Sequence, residues 1–196
     1  MSTPNIGVLA IQGDVREHAN HLMQCGAEVT LVKTPEVLSA VDALVIPGGE
    51  STTMSILAVK NSLIEPLREA RNKIPMYGSC AGLIMLADRI TDGRSDQQTI
   101  GGLNITAKRN AFGRQVDSFE IDLKIPAIGE PDFHAVFIRA PLVEEVGSGV
   151  EVLATIPATG EVVAVRQGNL LATSFHPEIV PDFRIHKYFL EMVKNA

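Results

Sequence analysis

The chain has 196 residues, is 45% hydrophobic and 20% charged, and carries a formal net charge of -6; the length suits one domain with a full core, and the acidic balance, with the longest basic clusters, Lys108-Arg109 and Lys187, isolated, argues mildly against a nucleic-acid surface. Two cysteines, Cys25 and Cys80, provide no disulfide framework. No apolar stretch approaches the ~20 residues that span a bilayer, and the apolar run 6–11 lacks a preceding basic region that would mark a signal segment, so a cytoplasmic protein is expected.

Ile6-Gly7-Val8-Leu9-Ala10-Ile11 is a continuous apolar run, as expected of a strand buried on both faces of a parallel sheet. Gln12-Gly13 turns the chain. Asp14, with Glu17 three residues on, reads as the capping pair of a helix whose stripe is Val15, Ala19, Leu22 and Met23. Cys25-Gly26 ends that helix, which makes Cys25 a packing thiol. His18 and His21 have no third ligand nearby and read as surface or packing residues, not a metal site. Val29-Thr30-Leu31-Val32 predicts a second strand, and Thr34-Pro35-Glu36 a helix start. Residues 42–46 predict a third strand, running into Pro47-Gly48-Gly49-Glu50-Ser51-Thr52-Thr53. Its glycines open the backbone to a ligand. The loop could cradle a phosphate (without the lysine of a P-loop), donate N–H groups to an oxyanion, or simply turn. Helical segments are expected at 54–59 and 62–73.

Ile74-Pro75-Met76-Tyr77 then leads into Gly78-Ser79-Cys80-Ala81-Gly82 and a helix-like run, Leu83-Ile84-Met85-Leu86-Ala87. Strand, glycine-flanked turn and helix form the setting of a nucleophile elbow, which exposes its central side chain. The helix N-terminus also eases ionisation of a thiol placed there. A structural cysteine beside a turn is the plain alternative. The strand–helix alternation so far predicts an open parallel sheet with helices on both faces, in which ligands bind beyond the strands' carboxyl ends. The Gly48-Gly49 loop and Cys80 both fall at such ends.

The second half differs. Residues 92–99 are polar and loop-like. The short runs 103–108, 118–124, 135–138, 150–156, 162–167 and 170–175 predict antiparallel strands, with Gly168-Asn169 as a hairpin turn, and 182–195 predicts a closing helix. In Ser174-Phe175-His176-Pro177-Glu178, His176 ends an apolar strand. On an extended backbone Glu178 projects to the same side, where it can accept the Nδ1–H and aim Nε2 at Cys80. Such a Cys–His–Glu set suits acyl transfer; a strand-end histidine near a chance acid is the alternative. His134, near a strand start, and His186, on the last helix, fit less well. With no internal repeat, residues 1–196 read as one α/β domain with β-rich additions.

Pro47-Gly48-Gly49, Gly78-Ser79-Cys80-Ala81-Gly82 and His176-Pro177-Glu178, in this order and spacing, resemble the triad-type (class I) glutamine amidotransferases. Three further stretches are similar to one branch of that family, the glutaminase subunits of pyridoxal 5'-phosphate synthases. They are Pro47-Gly48-Gly49-Glu50-Ser51-Thr52-Thr53, Arg109-Asn110-Ala111-Phe112-Gly113-Arg114-Gln115 and Phe137-Ile138-Arg139-Ala140-Pro141. The opening Gln12-Gly13-Asp14-Val15-Arg16-Glu17-His18 is similar as well, although that branch often has Ala at the place of Asp14. The resemblance covers essentially the whole chain and implies a flavodoxin-like sheet.

It also implies the chemistry. Cys80 would attack the side-chain amide of L-glutamine, with His176 as general base and acid, Glu178 orienting it, and the backbone N–H groups of Gly49 and Ala81 holding the oxyanion. Glutamine contacts are implied at Gly48, Gly49, Glu50, Arg109, Ile138 and Arg139, with Glu50 suited to the ammonium and an arginine to the carboxylate. The chain's own chemistry requires no cofactor or metal. Its length leaves no room for an acceptor domain, so the ammonia is expected to go to a partner. The resemblance makes that partner a (β/α)₈-barrel synthase subunit in a hetero-oligomeric complex for vitamin B6 biosynthesis, with residues 12–18 a candidate contact. At this point three alternatives stand: a glutaminase serving histidine, anthranilate or purine synthesis, a cysteine hydrolase or peptidase on a similar sheet, and a catalytically silent binding subunit.

Overall fold

A computed structural model of the chain describes residues 3–109 and 118–196. The first half supplies β1 (Asn5–Leu9), α1 (Val15–Gln24), β2 (Glu28–Val32), α2 (Pro35–Leu38), β3 (Ala43–Ile46), α3 (Ser51–Lys60), α4 (Ile64–Ala70), β4 (Met76–Ser79), α5 (Ala81–Leu86) and β5 (Ala87–Thr91). The second half supplies β6 (Leu103–Lys108), β7 (Ser118–Leu123), β8 (Phe133–Ile138), β9 (Leu142–Val146), β10 (Glu151–Thr155), β11 (Val162–Gln167), β12 (Leu170–Thr173) and α6 (Arg184–Lys194).

Five parallel strands lie side by side in the order β2-β1-β3-β4-β12, the order of a flavodoxin-like sheet. Beyond β12 the sheet continues through β11, β9, β6 and β5, and β10 pairs with β11 off this path. Alternate residues of the buried strands feed opposite faces. Ala43 and Val45 pack with Leu22 of α1 and Phe189 of α6. Leu44 and Ile46 pack with Met54, Leu67 and Leu83 of α3, α4 and α5. The antiparallel ribbon β7–β8 adds Phe133 and Phe137 to the first of these cores.

Several local expectations change. Strands β5 and β9 were not legible in the sequence: Ala-Asp-Arg-Ile-Thr and Leu-Val-Glu-Glu-Val carry charges where apolar alternation is the signal. Those charges bond across strands, Arg89 Nε to Thr106 Oγ1 at 2.9 Å and Thr106 Oγ1 to Glu145 Oε2 at 2.6 Å. Two parallel pairs, β5–β6 and β12–β4, depart from the antiparallel pairing expected of the second half. Helix α3 starts at Ser51, three residues early, because the Glu50 carboxylate accepts the Thr52 and Thr53 N–H groups. The expected Asp14–Glu17 capping pair does not form: Asp14 stands at the N-cap of α1 without a side-chain cap bond.

One topological fact positions the site. Strand β12, the last in sequence, inserts beside β4 with Thr173 opposite Ser79, and β3 flanks β4 with Ile46 opposite Gly78. The loops after all three strands therefore emerge at one edge. Among the described residues, no helix is long and apolar enough to cross a membrane.

Candidate active site

Cys80 occupies the step between β4 and α5 with φ 49° and ψ -101°. A positive φ in a residue with a Cβ is strained and is held only where its surroundings over-determine it. The flanking glycines show how. A Cβ on Gly78 would collide with the Gly82 carbonyl, and one on Gly82 would collide with the Ile46 carbonyl. The Gly-x-Cys-x-Gly spacing is thus a packing requirement of the turn. The Cys80 N–H donates to the Thr173 carbonyl at 2.8 Å, tying the elbow to β12. The residue is 6% exposed, with Sγ 4.0 Å from the Ile138 carbonyl oxygen.

His176 follows β12, and its Nδ1 lies 2.7 Å from Glu178 Oε1. The pairing expected from sequence is present, but its geometry differs from the expectation. The strand ends at Thr173, and residues Pro177–Ile179 form a tight helical turn that swings the carboxylate back under the ring. The His176 N–H donates to the Val136 carbonyl at 2.9 Å, which fixes the backbone to β8. Burial works to lower the His176 pKa. Asp14, the Cys80 thiol and Glu178 outweigh it, and the ring is pushed up to about 12. A histidine held protonated beside a cysteine is the partner that a thiolate nucleophile requires.

These groups open on a cleft of about 610 Å³, lined among others by Gly49, Glu50, Cys80, Ala81, Arg109 and His176. Gly49 has φ +150°, and the Gln12 side chain lies against it, its Oε1 accepting the Glu50 N–H at 3.0 Å. Gly48 stands one step back: its Cα faces the His176 ring, and its carbonyl accepts the Asp14 N–H at 3.1 Å. Ile138 and Arg139 form another part of the wall, Arg139 at φ 45°.

Arg109 reaches the cleft through two contacts, Nη2 to Glu50 Oε1 at 2.9 Å and Nη1 to Gln97 Oε1 at 3.2 Å. Burial raises the Glu50 pKa, but the Thr53 and Thr52 donors hold its carboxylate below the ordinary value. Its Oε1 accepts from Thr52 N and Arg109, and its Oε2 from Thr53 N and Thr53 Oγ1. A carboxylate offers about four lone-pair sites, so each is engaged before an ammonium arrives. The rest of the Arg109 motif, 110–115, lies outside the described residues.

Four contributors escaped the sequence reading. Gln12 buttresses Gly49. Asp14 Oδ2 approaches His176 Nδ1 to 3.6 Å. Ser79 Oγ lies 3.2 Å from Glu178 Oε2. His18 is fully buried, with Nε2 3.3 Å from that same oxygen. The one available signal was the spacing of Asp14 and His18, four apart and therefore on one side of α1. Among the described residues, Asp14, His176 and Glu178 could also gather on an ion, their ligand atoms lying within 4.8 Å of one another. Two of those atoms are already bonded to each other, so the group reads first as an acid–base set.

Comparison with known proteins gives the chain's family. The model of the SNO glutamine amidotransferase family matches residues 8–195. A pyridoxal 5'-phosphate synthase subunit PdxT of Salinispora arenicola is 56% identical over 200 residues, covering 100% of both chains. The protein of the same name from Kineococcus radiotolerans is 57% identical, covering 98% of this chain and 96% of its own. A crystal structure described as a glutamine amidotransferase superimposes with a TM-score of 0.89 at 46% identity, covering 96% of this chain and 98% of its own.

Proposed function

The chain belongs to the SNO glutamine amidotransferase family, and on that premise we propose how its cleft performs the reaction. The protein is a glutaminase subunit of pyridoxal 5'-phosphate synthase: it hydrolyses glutamine to glutamate and ammonia for the synthase.

In our reading Cys80 Sγ attacks the side-chain amide carbon of glutamine as a thiolate. The backbone N–H groups of Gly49 and Ala81 hold the oxyanion of the tetrahedral intermediate; losing one such donor typically costs about 3 kcal/mol of barrier. Collapse breaks the C–N bond, and His176 Nε2 gives its proton to the departing ammonia. Water then attacks the thioester while Nε2 takes a proton from it. Expulsion of the thiolate releases glutamate and restores the site. Glu178 keeps the Nδ1–H in place throughout, so only Nε2 faces the chemistry. The observation that carries this reading is the meeting, in one cleft, of a strained elbow cysteine with a His176–Glu178 bond of 2.7 Å.

For the rest of the substrate, we assign Arg109 to the α-carboxylate. Glu50, with its acceptor sites engaged, is assigned to placing Arg109 and not to meeting the ammonium. Gly48 supports His176 from behind, and Ile138 and Arg139 close the wall. Residues 1–196 act as one glutaminase domain. The ammonia is consumed on a partner, which we take to be a (β/α)₈-barrel synthase subunit in a hetero-oligomeric complex touching the 12–18 region. Two free cysteines suit the reducing cytoplasm.

The test is ammonia release from glutamine with and without the synthase subunit, for the wild type and Cys80→Ala. The reading expects release that depends on Cys80. Release that survives Cys80→Ala, or none in either condition, overturns it.

A further inference from the structure

Behind the triad lies a group of side chains that the reaction as written does not use. His18 and His21 of α1 and His186 of α6, 168 residues from His18, meet in the core at exposures of 0%, 9% and 0%. His18 Nδ1 lies 2.9 Å from His186 Nε2, and His186 Nδ1 lies 3.4 Å from His21 Nδ1. The remaining ring nitrogen of His18, Nε2, has no aligned hydrogen-bond partner and points at Glu178 Oε2 from 3.3 Å.

The tautomers of these rings follow from one boundary condition. A carboxylate accepts and cannot donate, so the nitrogen facing Glu178 Oε2 must carry a proton. His18 is then Nε2–H with a bare Nδ1. His186 must supply that Nδ1 with its Nε2–H, which leaves its own Nδ1 bare, and His21 must fill this with its Nδ1–H. With all three rings neutral the assignment closes in this one direction; a second proton on His18 would reverse it, and one on His21 would leave it standing. Burial lowers the pKa of each: His18 well below its ordinary value, with His186 adding to the effect, and His186 to about 3, with His21 adding to it. Asp182, near His21, pulls weakly the other way. A metal would need one nitrogen from each ring to converge, whereas His186 turns different nitrogens to its two neighbours.

We infer that His21, His186 and His18 form a one-way chain of N–H donors that grips the free oxygen of Glu178, making His18 and His186 positioning residues of the triad. This rests on the glutaminase reading above for the role of Glu178. The carboxylate needs such a grip. Its Oε1 is committed to His176, and the other donor near Oε2 is Ser79, whose single proton is contested by the Phe175 carbonyl at 3.3 Å. With Oε2 unanchored, the carboxylate can rotate and release the His176 ring. The chain stands outside the cleft, so its loss acts on turnover and not on substrate affinity.

The experiment combines imidazole ¹⁵N NMR of the full chain at neutral pH with glutaminase kinetics in the synthase complex. The expected spectrum shows His18 and His186 as Nε2–H tautomers and His21 as Nδ1–H. His18→Leu should lower kcat roughly tenfold, somewhat less than a well-aligned hydrogen bond to a charged group is worth, with KM within about twofold. His18→Gln, whose amide N–H can reach the same oxygen, should recover most of the loss. His186→Leu, which does not touch the triad, should reproduce part of the kcat effect. A His18 ring protonated at Nδ1, or wild-type kcat in His18→Leu, overturns the inference. The spectrum of the wild type decides even where a variant fails to fold. Activity that persists in Cys80→Ala would instead remove the catalytic reading and leave the tautomers as measured.

Discussion

His176 and His186 carry the same imidazole in front of and behind Glu178, and the fold drives them apart. The front ring is pushed up to about 12 and the rear ring down to about 3. Both are almost wholly buried, so burial alone does not separate them. In front, His176 meets two carboxylates and a thiol, and the charged form wins. Behind, among the described residues, His186 meets the imidazoles of His18 and His21 and the edge of the Tyr77 ring, and the desolvation cost of charging it is uncompensated. One region is built to hold and pass a proton; the other, on the inference above, holds its protons in fixed directions. The difference shows that the residue type says little about protonation until the neighbours are known.

The comparison breaks most sharply at the nucleophile. Cys80→Ala should cut glutamine hydrolysis by at least ~10³-fold while leaving thermal stability close to wild type, because the elbow geometry rests on Gly78 and Gly82. Steady-state ammonia release alongside a melting curve checks this. A large loss of stability would show that the thiol is structural.

Next in size is a pH effect from the rear. The folded pKa of His186 lies below its unfolded value near 6.5, so between about 3 and 6.5 the unfolded chain binds the additional proton. Stability is then fully present above pH 6.5 and declines on acidification, by about 2 kcal/mol at pH 5 for such a group, and His18 acts in the same direction. His176 adds nothing to this slope, since its raised pKa leaves it protonated in both states below 6.5; its contribution is lost instead as pH rises toward about 12. Urea unfolding at pH 7 and pH 5 should therefore show a shallower pH loss in His186→Leu than in the wild type. Equal slopes would mean that the rear rings are not neutral in the native state.

Much of the front was legible in the sequence, because its signals are local. The run Ile6 to Leu9, the elbow around Cys80 and the His-Pro-Glu step each announce themselves within five or six residues. The rear was not legible. His18 was read as a surface or packing residue; it is packed, and its partners are Glu178, 160 positions away, and His186, placed by the late return of β12 and α6 to the first strand layer. Ser79 appeared in the sequence only as part of the glycine-flanked turn, since nothing in its surroundings reveals a hydroxyl aimed at a carboxylate 99 residues on. Asp14 was read as a helix cap for the same reason: the glycine loop and the His176 ring that draw its carboxylate away come from other strands.

Two smaller predictions sharpen the description of the front. Arg109→Ala should raise KM for glutamine roughly tenfold, the scale of one lost charge-assisted hydrogen bond, with kcat changed less. An unchanged KM would take Arg109 out of substrate binding. Asp14→Ala should cost least, about two- to fivefold in kcat/KM, because its carboxylate is 42% exposed and 3.6 Å from His176. It should also lower the pKa of His176, visible as a shift in the pH profile. A profile identical to wild type would mean that Glu178 alone sets the ring's charge.

The chain offers an internal control for its central claim. Cys25 stands at the C-terminal end of α1, its Sγ 3.9 Å from the Phe183 carbonyl, and burial raises its pKa; Cys80 lines the cleft beside a protonated histidine. The direct measurement is modification of the synthase complex by a glutamine analogue bearing an electrophile in place of the amide, mapped by peptide mass spectrometry. The account predicts a single adduct on Cys80, suppressed by added glutamine and slowed in His176→Ala. Adducts on Cys25 at a comparable rate, or labelling of Cys80 that glutamine does not suppress, would contradict it.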